Sequence, residues 1–237
     1  IALAEREADR TASDAAAHTL ALHYVERFRA VQDYYSRRCE GDLIAPLREF
    51  QETGAVEIIT CAATHALLPL LATPNGLRAQ VEVGVEATTR HFGRRPYGVW
   101  LPECGFGPGV DAALAKAGLK YCLVDAHGLL NATPPPPHGV HAPVLCPSGV
   151  AAFARDLESS KQVWSSTEGY PGDGVYREFY RDLGYDADYD YIKPFLHEDG
   201  VRRNVGIKYH SVTGEVGLGE KAAYDRAVRF GSLLLEQ

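Results

Sequence analysis

Between residues 55 and 124 the chain alternates short apolar runs with amphipathic helical stretches, and this rhythm restricts the sheet that can form. The runs are Val56-Glu57-Ile58-Ile59-Thr60-Cys61, Tyr97-Gly98-Val99-Trp100-Leu101 and Tyr121-Cys122-Leu123-Val124. Between the first two, Leu77, Val81, Val85, Thr88 and Phe92 recur on one helical face; between the last two, Val110 to Ala117 reads as a helix. Strands separated by helices must run parallel, because each crossover returns the chain to the same end of the sheet, and such crossovers are right-handed. The expectation is an α/β barrel or an open parallel sheet.

Parallel strands deliver the residues after them to one edge. After Cys61 comes Thr64-His65, after Leu101 comes Pro102-Glu103, and after Val124 comes Asp125-Ala126-His127. In α/β barrels the rim at the strand C-termini is where active sites are built. His65, Glu103, Asp125 and His127 are therefore expected to converge. Each also has an ordinary reading: His65 as a surface or capping residue, Asp125 as a turn cap or as the group that orients His127. Glu103 stands in Trp100-Leu101-Pro102-Glu103-Cys104-Gly105-Phe106. In so apolar a setting an unpartnered carboxylate is costly, and perturbed carboxylates cluster at functional sites. A second signal is aromatic: Trp164 with Tyr170, Tyr176, Phe179 and Tyr180. Sugar rings stack on such faces while carboxylates accept their hydroxyls. Phe179 and Tyr180 also suit a core; Trp164, followed by Ser165-Ser166-Thr167-Glu168-Gly169, suits one less.

The rest of the chain frames this region. Residues 1–40 contain neither Gly nor Pro, and Leu22, Val25, Phe28, Val31 and Tyr35 fall near helical spacing. Leu43 to Phe50 continues as a short helix. Residues 131–148 form a long loop with Pro134 to Pro137 in tandem, a length often found in lids. Val150 to Phe153 is a further strand candidate, residues 164–186 read as a structured loop with a short helix, and 219–237 as a helix. There is no internal repeat. Methionine is absent, and both ends lie inside helix-like segments, so the chain reads as a fragment.

Composition narrows the function. Hydrophobic residues at 46% allow a sizeable core, and a net charge of -7 argues against nucleic acid or anionic membranes, whose phosphates need Lys and Arg. No apolar run spans a bilayer, and no signal peptide opens the chain. The five cysteines include no C-x-x-C pair. They read as reduced thiols, which implies a cytoplasmic protein without a zinc cluster.

The segment Gly98-Val99-Trp100-Leu101-Pro102-Glu103-Cys104-Gly105-Phe106 resembles the nucleophile segment of glycoside hydrolase family 57, and among its members the bacterial 1,4-α-glucan branching enzymes. Gly54-Ala55-Val56-Glu57-Ile58-Ile59-Thr60 with Thr64-His65, Val124-Asp125-Ala126-His127, Val163-Trp164-Ser165, and Gly169-Tyr170-Pro171-Gly172-Asp173-Gly174 with Tyr176-Arg177-Glu178-Phe179 resemble further segments in the family's order. The resemblance is weakest in residues 1–40 and 131–160. It implies a (β/α)7 barrel with a helical insertion: a helical region at 1–54, then the central part of the catalytic barrel at 55–237. Further implications are a retaining double displacement, with Glu103 as nucleophile and two carboxyl groups about 5–5.5 Å apart, an α-glucan such as glycogen, amylose or a maltooligosaccharide as partner, and no cofactor or metal. His65, Trp100, Asp125, His127 and Trp164 are the implied substrate-binding residues.

Two departures from the family pattern matter. The family's acid/base Asp segment, Tyr-Asp-Ala-Glu-Leu-Phe-Gly-His-Trp-Trp, is expected beyond the C-terminus, and neither Asp173 nor Asp182 should be promoted in its place. Branching members carry a Tyr in the loop after Asp-x-His, whereas residues 128–149 offer only His138 and His141. Alternatives are an amylase-like hydrolase of the same family, a metal-dependent polysaccharide deacetylase using Asp125 and His127, and a glucan-binding fragment without catalysis.

Overall fold

Edge-to-edge pairing of the apolar runs is visible in a computed structural model, which describes residues 1–217 together with 227 and 228. The three runs contribute β1 (Thr60–Cys61), β2 (Gly98–Trp100) and β3 (Tyr121–Val124). Two more strands complete the sheet, β4 (Val144–Leu145) and β5 (Ala151–Ala154), in the order β1-β2-β3-β5-β4. β1, β2, β3 and β5 are parallel, with Cys61 opposite Trp100, Trp100 opposite Leu123, and Leu123 opposite Phe153. β4 is antiparallel to β5. The expected α/β class, an incomplete barrel, therefore holds: the described residues form an open five-stranded mixed sheet. The loop expected at 131–148 hides the short hairpin strand β4, which two residues are too few to signal.

By internal contacts the chain divides into two units, Gly41–Leu157 and Ile1–Glu40 with Glu158–Gln237. This differs from the expected division into 1–54 and 55–237. The helix Ile44–Glu52 belongs with the sheet because Arg48 Nη1 and Gln51 Nε2 donate to the carbonyls of His91 and Phe92, at 2.9 and 3.0 Å. Those carbonyls end the crossover helix Pro74–Phe92, which Gly93 closes in the left-handed conformation.

The sheet unit is built around Leu68, Val81, Val85, Val99, Leu101, Leu114, Cys122 and Val124. Cys122 and Val124 are buried while Tyr121 and Leu123 are half-exposed, the alternation that a strand imposes. Burial pushes the Cys122 thiol up to about 12, so it behaves as a small hydrophobe. Gly84 lets the crossover helix lie against β1: a Cβ there would stand 2.1 Å from the Cys61 carbonyl oxygen. Thr88 Oγ1 donates to Thr60 Oγ1 at 2.8 Å across the same seam.

In the other unit the chain forms helices Ala2–Arg10 and Ala15–Asp33, broken at Thr11 and restarted by the Asp14 carboxylate, which accepts from the backbone N–H groups of Ala16 and Ala17. The expected apolar stripe is rotated. Ala17, Leu20, Ala21, Tyr24 and Val25 are buried, whereas Leu22, Val31 and Tyr35 are exposed. Two alanines and a Tyr whose hydroxyl binds the Lys208 backbone carry the packing, and a search for large aliphatic side chains passes over them. Glu7 is fully buried and accepts from Arg10, Tyr191 and Tyr209. Burial alone raises its carboxyl pKa, but these hydrogen bonds outweigh it and hold the group below the usual range. Asp182, also buried, accepts from the N–H groups of Gly184, Val205 and Gly206. These bonds make it a structural carboxylate. Phe179 and Tyr180 are not core residues: both are largely exposed. Of the helix expected at 219–237 only residues 227 and 228 are described, and both are helical; the rest lies outside the described residues.

Candidate active site

The chain leaves β1, β2, β3 and β5 at a single edge, and each exit carries a polar side chain. Leu101, fully buried, ends the β2 run. Pro102 then starts a tight turn, Pro102–Cys104, whose next two residues are left-handed: Glu103 at φ 50° and ψ 28°, and Cys104 at φ 53°. His65 beyond β1 is left-handed as well, at φ 56°. Among the described residues four non-glycines have positive φ, and three of them are these. An L-residue pays about 1–2 kcal/mol for that conformation, and such outliers persist where the surroundings over-determine them, commonly at functional sites.

The conformations bring His65 and Glu103 together, with His65 Nε2 3.5 Å from Glu103 Oε1. On the other side of the imidazole, Nδ1 lies 3.4 Å from Cys61 Sγ. In the tautomer with the proton on Nε2, the thiol donates to Nδ1 and His65 presents its N–H toward the carboxylate. The apolar setting expected for Glu103 is not what the fold supplies. Its side chain is 80% exposed, and the apolar neighbours Leu101, Pro102 and Cys104 turn inward instead. What distinguishes Glu103 is backbone strain, a feature invisible in residue type.

Asp125 takes both of its ordinary roles. It caps the short helix Ala126–Leu130, accepting from the His127 backbone N–H at 3.4 Å, and its Oδ1 lies 2.9 Å from His127 Nδ1. The hydrogen bond from His127 is the main reason that the Asp125 carboxyl lies below the usual range. Among the described residues no group of three His, Cys, Asp or Glu side chains could hold a metal ion. Asp125 and His127 thus form a pair without a third donor. Trp100 ends β2 partly exposed. Trp164 ends the helix Leu157–Trp164 in the other unit, with 77% of its surface open to solvent.

One site residue escaped the sequence reading. Arg155 follows β5 directly, and its Nη1 lies 3.9 Å from Asp125 Oδ2 and 3.8 Å from Cys104 Sγ. The signal was present: Val150 to Phe153 reads as a strand, and the first ionisable residue past it is Arg155. Behind this edge, Cys104, Phe106, Asp125, His127, Leu145 and Pro147 help to line a cavity of about 400 Å³.

Comparison with known proteins gives a consistent answer. The model of glycosyl hydrolase family 57 matches residues 3–221. A 1,4-alpha-glucan branching enzyme of Thermococcus kodakarensis is 36% identical over 227 residues, covering 84% of this chain and 30% of that protein. A probable 1,4-alpha-glucan branching enzyme of Mycobacterium tuberculosis is 32% identical over 199 residues, covering 83% of this chain and 32% of that protein. The crystal structure of the alpha-amylase AmyC of Thermotoga maritima superposes with a TM-score of 0.86 at 41% identity, over 99% of this chain and 47% of that one. That of a branching enzyme of Pyrococcus horikoshii gives 0.75 at 29% identity, over 99% and 44%. The chain thus spans about a third of the curated relatives and under half of the solved ones.

The left-handed turn predicts a stability difference between two variants that both remove the carboxylate. Glu103→Gly should be more stable than Glu103→Ala by about 1 kcal/mol, because only Ala retains the Cβ that opposes positive φ. Equal denaturation midpoints for the two would mean that the turn carries no strain.

Proposed function

The chain belongs to glycosyl hydrolase family 57, and from that premise we propose that it carries the nucleophile of a retaining α-glucan transglycosylase that makes α-1,6 branches. The observation that carries this reading is the strained turn that holds Glu103 at the sheet's C-terminal edge, within reach of His65. In the proposed reaction the Glu103 carboxylate attacks the anomeric carbon of an α-1,4-linked glucosyl unit. The C1–O bond breaks as an acid protonates the leaving 4-oxygen, and a glycosyl ester forms on Glu103. The 6-hydroxyl of a second glucan then attacks the same carbon, gives its proton to the former acid and restores the carboxylate. No carboxylate of this chain is assigned as the acid/base.

His65 is proposed to fix the Glu103 rotamer. Asp125 and His127 are proposed to hold sugar hydroxyls beside the cavity at the Cys104 turn. Trp100 and Trp164 are proposed as stacking faces, for which the exposure of Trp164 is suited. The five free thiols support a reducing, cytoplasmic setting, in which glycogen is the proposed glucan.

Hydrolysis is the second reading, favoured by the likeness to the Thermotoga maritima alpha-amylase. Water and the sugar hydroxyl compete for one intermediate, and excluding water decides the ratio. The loop at 128–149 offers no Tyr, Trp or Phe to cover the sugar; His138 and His141 are smaller and more polar. Branching is expected to exceed hydrolysis by a narrow margin.

Incubating the intact protein with amylose, and counting reducing ends before and after debranching, tests the assignment. New α-1,6 linkages in excess of new free reducing ends are expected. Reducing ends without α-1,6 linkages would leave a hydrolase. In the same protein Trp164→Ala should weaken maltooligosaccharide binding by about 1–3 kcal/mol with the melting temperature kept. A collapse in stability with unchanged affinity per folded molecule would make Trp164 a packing residue instead.

A further inference from the structure

We infer that Arg155 is a positioning residue, which locks the left-handed Glu103–Cys104 turn to Asp125 so that the nucleophile is held in place before substrate arrives. The inference rests on the reading of Glu103 as nucleophile, and it concerns what holds that residue.

The strain sets the problem. Two successive L-residues at positive φ will relax unless something opposes it. Glu103 itself supplies little, since its side chain is mostly in solvent and its neighbour His65, 3.5 Å away, is also exposed. The backbone closes the turn, with the N–H groups of Cys104 and Gly105 donating to the carbonyls of Leu101 and Pro102, both at 2.9 Å, and the side chain that can anchor it to the rest of the fold is that of Cys104, which is buried. Arg155 reaches that side chain: its Nη1 donates to Cys104 Sγ at 3.8 Å. The same nitrogen faces Asp125 Oδ2 at 3.9 Å. One guanidinium thus spans the exit of β2 and the exit of β3, although Arg155 comes from neither.

The base of Arg155 is fixed too. Its backbone N–H donates to the Val124 carbonyl at 3.0 Å, extending the β3–β5 ladder by one step. The Arg155 side chain as a whole is two-thirds covered, as a bracket between two strand exits requires. Asp125 is in turn held by His127 and by the N-terminus of its own helix. A rigid ladder therefore carries a cation, the cation faces a pinned carboxylate, and both restrain the turn that bears Glu103. Arginine suits this place because its planar head offers several N–H groups and keeps its charge when partly buried.

A shift of about 1 Å in a reacting group can cost about 100-fold in rate, so loss of the bracket should appear in turnover rather than in binding. In the intact enzyme, Arg155→Ala is expected to lower kcat on amylose at least 10-fold, to change KM less than threefold, and to keep the melting temperature within a few degrees. Arg155→Lys, which retains charge and most of the reach, should recover part of the loss. Wild-type kcat in Arg155→Ala would overturn the inference, and so would a loss that follows only the unfolded fraction.

A crystal structure of Arg155→Ala gives a readout independent of activity. Glu103 or Cys104 leaving the left-handed region, or Asp125 turning away, is the expected result. An unchanged turn with Asp125 in place overturns the positioning role, whatever the assays give. If wild-type protein fails to act on any glucan while the turn relaxes in the variant, the functional reading falls and the bracket stands.

Discussion

The parallel ladder through β1, β2, β3 and β5 is the constraint on which the site depends. Because Cys61, Trp100, Leu123 and Phe153 stand in register, the segments after them leave the sheet at one edge. His65, Glu103, Asp125 and Arg155 come from four separate stretches and share a neighbourhood for that reason alone. The ladder depends on close packing beneath it. Gly84 admits the crossover helix against the Cys61 carbonyl, and Leu101, Leu114 and Cys122 are fully buried.

The geometry divides the work between two kinds of group. Glu103 and His65 are exposed, as the proposed contact with a glucan requires. Cys104 is buried and Arg155 more covered, and Arg155 reaches both Cys104 and the Asp125 carboxylate, which is the arrangement of a support. Enzyme sites need such support because catalysis depends on groups arranged before the transition state forms. The buried carboxylates of the other unit serve packing: Glu7 and Asp182 are enclosed by donors from their own chain.

Much of the sheet was legible in the sequence because hydrophobic period and helix spacing are properties of residue type. β3 falls on Tyr121–Val124 as read, and the crossover helix carries the expected Leu77-Val81-Val85 face. Less legible was anything set by contact between distant segments. The stripe on the second helix turned because Ala17, Ala21 and Tyr24 pack closely, and β4 was missed because two residues carry no pattern. The apolar setting that singled out Glu103 by residue type does not hold in the fold. Its neighbours are apolar, yet a left-handed turn lifts the carboxylate into solvent. Arg155 lay one residue past a strand that the sequence did suggest, and the rule used for the other three exits applies to it unchanged.

Glu103 is proposed to form a covalent bond to the glucan during turnover. The intact protein, incubated with a fluoro-substituted maltosyl fluoride that forms the glycosyl-enzyme faster than water removes it, can be digested with trypsin and read by mass spectrometry. A maltosyl-type mass increment on the peptide Arg95–Lys116, fragmenting to Glu103, is the predicted result. An increment on any other carboxylate, or full inactivation with no covalent adduct, would contradict it.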